Sequence, residues 1–333
     1  MSKFFRILSI DGGGIRGIMP AIIISELEKR LRLSTGKPDS YISDYFDMIA
    51  GTSTGGMLAC YYLYNNDGNR LDAVNAIDMY EKHGATIFKT RLLRRIIQYI
   101  FDPLYHENGI NKVLKETFGD VKLSEAPCNS TIMAYDITAR KAVIFTSETA
   151  RNKESRNYYL RDIARATSAA PTYFRVAKTK AMNGDCSYLI DGGIYANDPT
   201  LCAIVEAKKT KYPDRDECPK IKDMYVVSLG TGEIKEPYKY KKAKHWGRFC
   251  WILPLIDMLL SSGSEVVSFQ VKKLFEAENS KSNYKRIVPK LINVNDEMDD
   301  ASPKNIANLK SVAEQYIANN SNKLDEIVKQ LIR

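Results

Sequence analysis

MIAGTSTGGML, residues 48–58, runs from an apolar, strand-like stretch into a glycine-flanked turn and out again into apolar sequence. Its centre, GTSTG (51–55), satisfies G-x-S-x-G, with Ser53 between Gly51 and Gly55. A strand that turns abruptly into a helix crowds the backbone at the corner. Glycines on both sides relieve that crowding, and the turn pushes the serine hydroxyl out over the end of a sheet. A helix starting at Thr54 would point its N-terminus at the reacting centre, which favours developing negative charge. The bland alternative is a glycine-rich turn with no chemistry. The nucleophile reading gains from context, because the pattern lies between a strand-like and a helix-like segment, as the mechanism needs.

The same alternation continues outward. Short apolar runs ending in turn residues occur at 4–10, 45–51, 130–136, 142–147, 187–193 and 224–230, and these read as strands. Helical patterns lie between them at 18–32, 54–64 and 197–209. Strands alternating with helices predict an α/β fold with a mainly parallel central sheet. There is no internal repeat and no long low-complexity linker. The Lys-rich stretch 235–248 reads as a flexible loop, and the chain from about 263 onward reads as a helical C-terminal part of one domain.

Composition bounds what this domain does. The chain has 333 residues, 44% hydrophobic and 27% charged, enough to bury a core. Its net charge of +9 favours anionic partners, either nucleic acid or an anionic membrane surface. The six cysteines, at 60, 128, 186, 202, 218 and 250, form no CxxC pair, which argues against a zinc site and for reduced thiols in a cytoplasmic setting. Asp11 interrupts the apolar start, so no signal-peptide core is expected. The longest uncharged stretch, 48–66, contains Gly51, Thr52, Ser53, Gly55 and Gly56, so no membrane span is expected there.

A second glycine loop, DGGGIRG (11–17), also follows a strand and opens a helix. Gly12, Gly14 and Gly17 satisfy G-x-G-x-x-G, but a dinucleotide site expects an acidic residue about 20 positions on, at the end of a second strand. Here that region, 30–40, is a helix end and a loop. The better reading is an oxyanion hole: Gly12, Gly13 and Gly14 offer backbone N–H groups and Arg16 adds positive charge.

A serine nucleophile needs a base. Of the three histidines, His245 would complete the order Ser53, Asp191, His245, but it sits among Lys241, Lys242, Lys244 and Arg248, a poor setting for a proton acceptor. His83 reads as a helix-end residue before Gly84, and His106 has no evident partner. Asp191, in LIDGGIYANDP (189–199), ends an apolar strand before Gly192 and Gly193. A carboxylate desolvated at a sheet end becomes a useful base, although an Asp-Gly turn is the plainer explanation of the same residues.

Taken in order, ILSIDGGGIRG (7–17), FDMIAGTSTGG (46–56), ATSAAPTYF (166–174), LIDGGIYANDPTL (189–201) and VVSLGTG (226–232) resemble the patatin-like phospholipase family. The tail is also similar at 264–287 and 298–309, so the resemblance covers nearly the whole chain. It implies a three-layer α/β/α fold in a single domain over 1–333, with a catalytic core at about 4–232 and helices from about 263 to 333. It implies a Ser53–Asp191 dyad without histidine, an oxyanion hole on the backbone of Gly12, Gly13 and Gly14 beside Arg16, and no metal or organic cofactor. It further implies hydrolysis of fatty acyl esters of phospholipids, lysophospholipids or galactolipids, with a lipid rather than a nucleic acid polymer as partner.

A lipid hydrolase must reach an interface. Residues 87–101 put Phe88, Leu92, Leu93, Ile96, Ile97, Tyr99, Ile100 and Phe101 on one helical side and Arg91, Arg94 and Arg95 opposite, a pattern suited to an anionic membrane or to an ordinary surface helix. Residues 239–251 mix lysines with Trp246, Phe249 and Trp251 in a similar way. The expected location is cytoplasmic with peripheral membrane association, and a signal for a specialised secretion system could lie in either terminus. The rival reading is a catalytically silent or activator-gated lipid- or nucleotide-binding regulator on the same fold; Ser53 and Asp191 are both present against it.

Overall fold

The computed structural model describes residues 4–89, 102–210, 217–233, 237–247, 250–292 and 294–332. Arg91, Arg94 and Arg95 lie outside the described residues.

Among the described residues, eight strands form one mixed sheet: β1 Phe5–Ile10, β2 Met48–Thr52, β3 Asn129–Asp136, β4 Lys141–Phe145, β5 Ala177–Lys180, β6 Cys186–Asp191, β7 Met224–Leu229 and β8 Tyr284–Ile287. The order is β5-β6-β3-β2-β1-β7-β8, with β4 also pairing β3. Pairings β1–β2, β1–β7, β2–β3 and β7–β8 are parallel, while β3–β4, β3–β6 and β5–β6 are antiparallel. Helices of eight or more residues are numbered α1 Ile18–Thr35, α2 Thr54–Tyr62, α3 Glu107–Phe118, α4 Leu160–Thr167, α5 Thr200–Lys209, α6 Ile252–Ala277, α7 Pro303–Asn319 and α8 Ser321–Leu331.

The central strands are apolar on both faces, because helices cover both. Leu8, Ile10, Ile49, Tyr225 and Val227 belong to a core shared with α1, α2, α7 and α8. Their alternating neighbours Phe5, Ile7, Met48, Ala50, Met224 and Val226 belong to a second core with Ala203 and Ile204 of α5 and Val271 and Phe275 of α6. The period-two alternation of a strand thus divides its side chains between two layers of helix. This is the three-layer α/β/α arrangement.

Local chemistry sets the element ends. α1 stops at Gly36, whose φ of 65° supplies the left-handed residue that closes a helix C-terminus. Ser302 caps α7 by accepting from the Asn305 N–H at 3.3 Å, with Pro303 opening the first turn.

Two expectations need correction. The stretch from 263 onward is not purely helical: α6 already begins at Ile252, and β8 adds a parallel strand beside β7. Isolated YKRI carries too little pattern to signal a strand; pairing with β7 supplies it. Within the Lys-rich stretch, Tyr240–Ala243 forms a helical turn, with Trp246 packed edge-on between Tyr238 and Trp251. Among the described residues, no helix is long and apolar enough to cross a membrane, and no group of His, Cys, Asp or Glu could hold a metal ion. All six cysteines are free.

Candidate active site

Ser53 sits at the junction of β2 and α2 with φ 56° and ψ −126°. For a non-glycine residue such a conformation costs about 1–3 kcal/mol and must be held by its surroundings. Two bonds hold it. The Ser53 N–H donates to Thr167 Oγ1 at 2.9 Å, and that hydroxyl donates to the Met133 carbonyl at 2.6 Å. The Ser53 carbonyl accepts from the Met57 N–H at 2.9 Å as the first bond of α2. The flanking glycines are required by close approach. A Cβ on Gly55 would lie 2.2 Å from the Ile10 carbonyl oxygen, and one on Gly51 would lie 2.2 Å from that of Gly55. α2 therefore packs directly on the C-terminal end of β1.

Strand register brings Asp191 to the same point. β4 occupies one edge of β3, so β2 and β6 share the other. Thr52, the last residue of β2, pairs with Met133; Asp191, the last residue of β6, pairs with Ala134. The two strands meet end to end along β3, from opposite directions. Gly192 fits because a Cβ there would lie 2.5 Å from the Met133 backbone, and one on Gly193 would strike Leu260 of α6 at 2.6 Å.

Asp191 is 3% exposed. Burial pushes its carboxyl up to about 7, against the opposing influence of the Ser53 hydroxyl and of the Gly193 N–H, which donates to Oδ1 at 2.7 Å. Ser53 and Asp191 line one narrow cavity of about 70 Å³, walled mainly by apolar groups such as Met57, Ile87, Phe88, Ile110, Phe174, Ile256 and Leu260. None of the three histidines is among its lining residues. His106 instead caps α3, its Nδ1 accepting from the Asn108 N–H at 3.2 Å. His83 precedes the short helix Gly84–Ile87, and His245 lies exposed beside Lys244.

Gly13 and Gly14 line this cavity too. Gly12 does not serve as expected: its N–H donates to the Asn197 carbonyl at 3.1 Å. The next two peptides are held by their carbonyls. Thr231 Oγ1 donates to the Gly12 carbonyl at 2.7 Å, and Arg16 Nε donates to the Gly13 carbonyl at 3.3 Å. In a planar trans peptide the N–H points opposite to the C=O. Fixing those carbonyls therefore aims the N–H groups of Gly13 and Gly14 the other way, and among the described residues neither has a backbone acceptor. Gly14 adopts φ +59°, and a Cβ there would lie 2.0 Å from the Met298 carbonyl oxygen. Arg16 thus stands behind the loop, 6% exposed, rather than in the Ser53 cavity. Burial lowers its affinity for a proton, with Asp257 and Asp296 opposing that.

Behind the glycine loop lies a buried charged network. Arg286 of β8 reaches Asp11 at 2.8 Å, Ser228 Oγ at 2.7 Å and Asp198 Oδ2 at 3.3 Å. Burial works against its charge, but the carboxylates of Asp11 and Asp198 outweigh it and hold the guanidinium charge more firmly than usual. The loop after Asp191 is latched to β2 as well, because Thr52 Oγ1 donates to the Ala196 carbonyl at 2.7 Å.

Sequence reading paired Ser53 with Asp191 but missed Thr167, Asn197, Thr231 and Arg286 as parts of the site. Thr167 and Thr231 do lie in the stretches 166–174 and 226–232 that carry the resemblance. Asn197 lies in the stretch 189–201 and Arg286 in the similar tail stretch 264–287, but no neighbouring residue marks Arg286 as a partner of Asp11.

The comparisons agree with this architecture. A family model described as Patatin-like phospholipase matches residues 8–204. The chain is 36% identical to Patatin-like protein 2 of rice (Oryza sativa), over 97% of this chain and 86% of the relative. It is 34% identical to Patatin-2-Kuras 3 of potato (Solanum tuberosum), over 95% of this chain and 84% of the relative. With a family model over more than half of its length and relatives matched along almost all of it, the chain belongs to the patatin-like phospholipase family.

Proposed function

We propose that the protein is a lipid acyl hydrolase that cleaves fatty acyl esters through an acyl-enzyme on Ser53, with Asp191 as the base. One observation carries the reading: a strained Ser53 faces a buried Asp191 whose carboxyl is pushed to about 7, in an apolar cavity. A base with a value near operating pH balances availability against proton affinity.

The steps follow from the placement. An acyl chain enters the apolar cavity and its ester carbonyl oxygen meets the N–H groups of Gly13 and Gly14. Ser53 Oγ attacks the carbonyl carbon and its proton passes to Asp191. As the tetrahedral centre collapses, the carbon–oxygen bond to the leaving alcohol breaks and Asp191 returns the proton to that oxygen. Water then attacks the acyl-enzyme and gives a proton to Asp191. Ser53 leaves with that proton and the fatty acid is released. No histidine is assigned a step.

Phospholipids and lysophospholipids are the preferred substrate class, met at a membrane surface, and galactolipids are a further candidate. The whole chain is read as one catalytic domain. β8 extends the sheet, and Ile256 and Leu260 of α6 wall the cavity, so the C-terminal part supports this reading as an integral piece.

The test is fatty-acid release from phosphatidylcholine and phosphatidylglycerol vesicles by wild type, Ser53→Ala, Asp191→Asn and His245→Ala. Activity in wild type and His245→Ala with silence in the other two supports the dyad. Loss in His245→Ala would require a triad instead. A wild type silent on vesicles and on a soluble ester would favour the regulator reading.

A further inference from the structure

α6 presents two different faces. Ile256 and Leu260 line the Ser53 cavity. On an adjoining stripe, Ile252, Leu255, Leu259, Val266 and Phe269 are exposed by 42%, 50%, 46%, 54% and 62%. At 100° per residue these five fall within about a third of a turn. Ser262 also falls on the stripe, and no charged residue does between 252 and 269. Isolated exposed apolar residues need no explanation, but a continuous uncharged stripe along one helix does.

The N-terminal end of the stripe carries positive charge. Trp251 is 40% exposed and packs edge-on against Trp246, 5.0 Å between ring centroids. Trp246 packs on Tyr238, whose hydroxyl donates to Asp257 of α6 at 2.8 Å. This ladder ties the segment bearing Lys239, Lys241, Lys242 and Lys244, all exposed, to the start of α6.

We propose that the outer stripe of α6, with this lysine segment, is the surface on which the protein docks onto an anionic lipid bilayer. A helix with an apolar face beside lysines and interfacial tryptophan and tyrosine matches the chemistry of a bilayer boundary, where apolar groups enter the acyl region and ammonium groups meet anionic head groups. The surface is also continuous with the cavity. Ile256 and Leu260 belong to the helix that would lie in the membrane boundary, so an acyl chain leaving the bilayer need pass only along one side of α6 to reach Ser53. The inference rests on the lipid acyl hydrolase reading for its purpose, but not for its measurement.

The experiment measures co-sedimentation with phosphatidylcholine vesicles, with and without phosphatidylglycerol, using the full chain carrying Ser53→Ala to prevent turnover. Leu255→Glu with Phe269→Glu should weaken binding by about tenfold or more. Reversing Lys239, Lys241, Lys242 and Lys244 to glutamate should remove the phosphatidylglycerol-dependent part. The Leu255/Phe269 change, made in protein that retains Ser53, should leave cleavage of soluble p-nitrophenyl butyrate unchanged, which shows that the variant folds. Equal vesicle binding by wild type and the Leu255/Phe269 variant overturns the proposal. So does light scattering that finds a wild-type dimer and a monomeric variant, because the stripe is then a self-interface. If wild type fails on the soluble ester but the vesicle result holds, the hydrolase reading fails and the docking surface stands.

Discussion

Arg286 grips Asp11 through both terminal guanidinium nitrogens, where β1 hands the chain to the glycine loop. The same guanidinium reaches Asp198, one residue beyond Asn197, whose carbonyl occupies the Gly12 N–H. A strand at the sheet edge thereby fixes two loops that flank Ser53. Replacing Arg286 by methionine leaves two buried carboxylates unpaired, and removing one partner of a buried ion pair costs about 3–5 kcal/mol. Urea unfolding should show a loss of that size. Arg286→Lys should recover part of it, since the charge returns without the two-pronged geometry.

On the proposed mechanism activity should rise with pH through about 7, because a base at Asp191 must be ionised to accept the serine proton and its carboxyl is raised to about 7. The stability effect has the opposite sign. The folded value lies above the ordinary 3.8, so the Asp191 contribution is complete below about 4 and is lost as pH rises through about 7. Asp191→Asn should therefore be inactive, yet gain stability relative to wild type as pH increases across that window. Thermal melts of both proteins at a series of pH values check the sign.

Thr167→Val should lower kcat by about tenfold or more, since small misplacement of a reacting group is costly. It removes both the acceptor of the Ser53 N–H and the donor to the Met133 carbonyl. Stability should fall by about 1–3 kcal/mol, the usual cost of buried polar groups left unpaired. Thr167→Ser keeps the hydroxyl and should restore most of both, read by ester kinetics and denaturation together.

Thr231→Val should reduce kcat with little change in KM. The Thr231 hydroxyl touches the Gly12 carbonyl, not the cavity, so on the proposed mechanism its effect is to orient the Gly13 N–H. Gly14→Ala is the harsher companion: a Cβ would meet the Met298 carbonyl at 2.0 Å, at a φ of +59°. Loss of one oxyanion donor costs about 10²–10³ in rate. Steady-state kinetics on a soluble ester separate the two parameters.

Much of the candidate site is legible in local sequence. Glycine spacing around Ser53 dictates a tight strand-to-helix corner, and short apolar runs bounded by turn residues mark buried strands, because both are set by neighbouring residues. The end of an apolar strand likewise marked Asp191, and the scarcity of suitable histidines pointed toward a carboxylate base. β5 and β8 were not readable: AKTK and YKRI owe their strand form to pairing with β6 and β7.

Tertiary structure alone decided the rest. It placed Thr52 and Asp191 opposite consecutive residues of β3, spent the Gly12 N–H on Asn197, and put Arg16 behind the loop rather than in the cavity. It also gave α6 an inner face on the cavity and an outer stripe on the surface. These are matters of register and partner choice between segments far apart in the chain. They depend on which donors, acceptors and apolar faces remain unpaired once the sheet has closed, and no window of neighbouring residues contains that information.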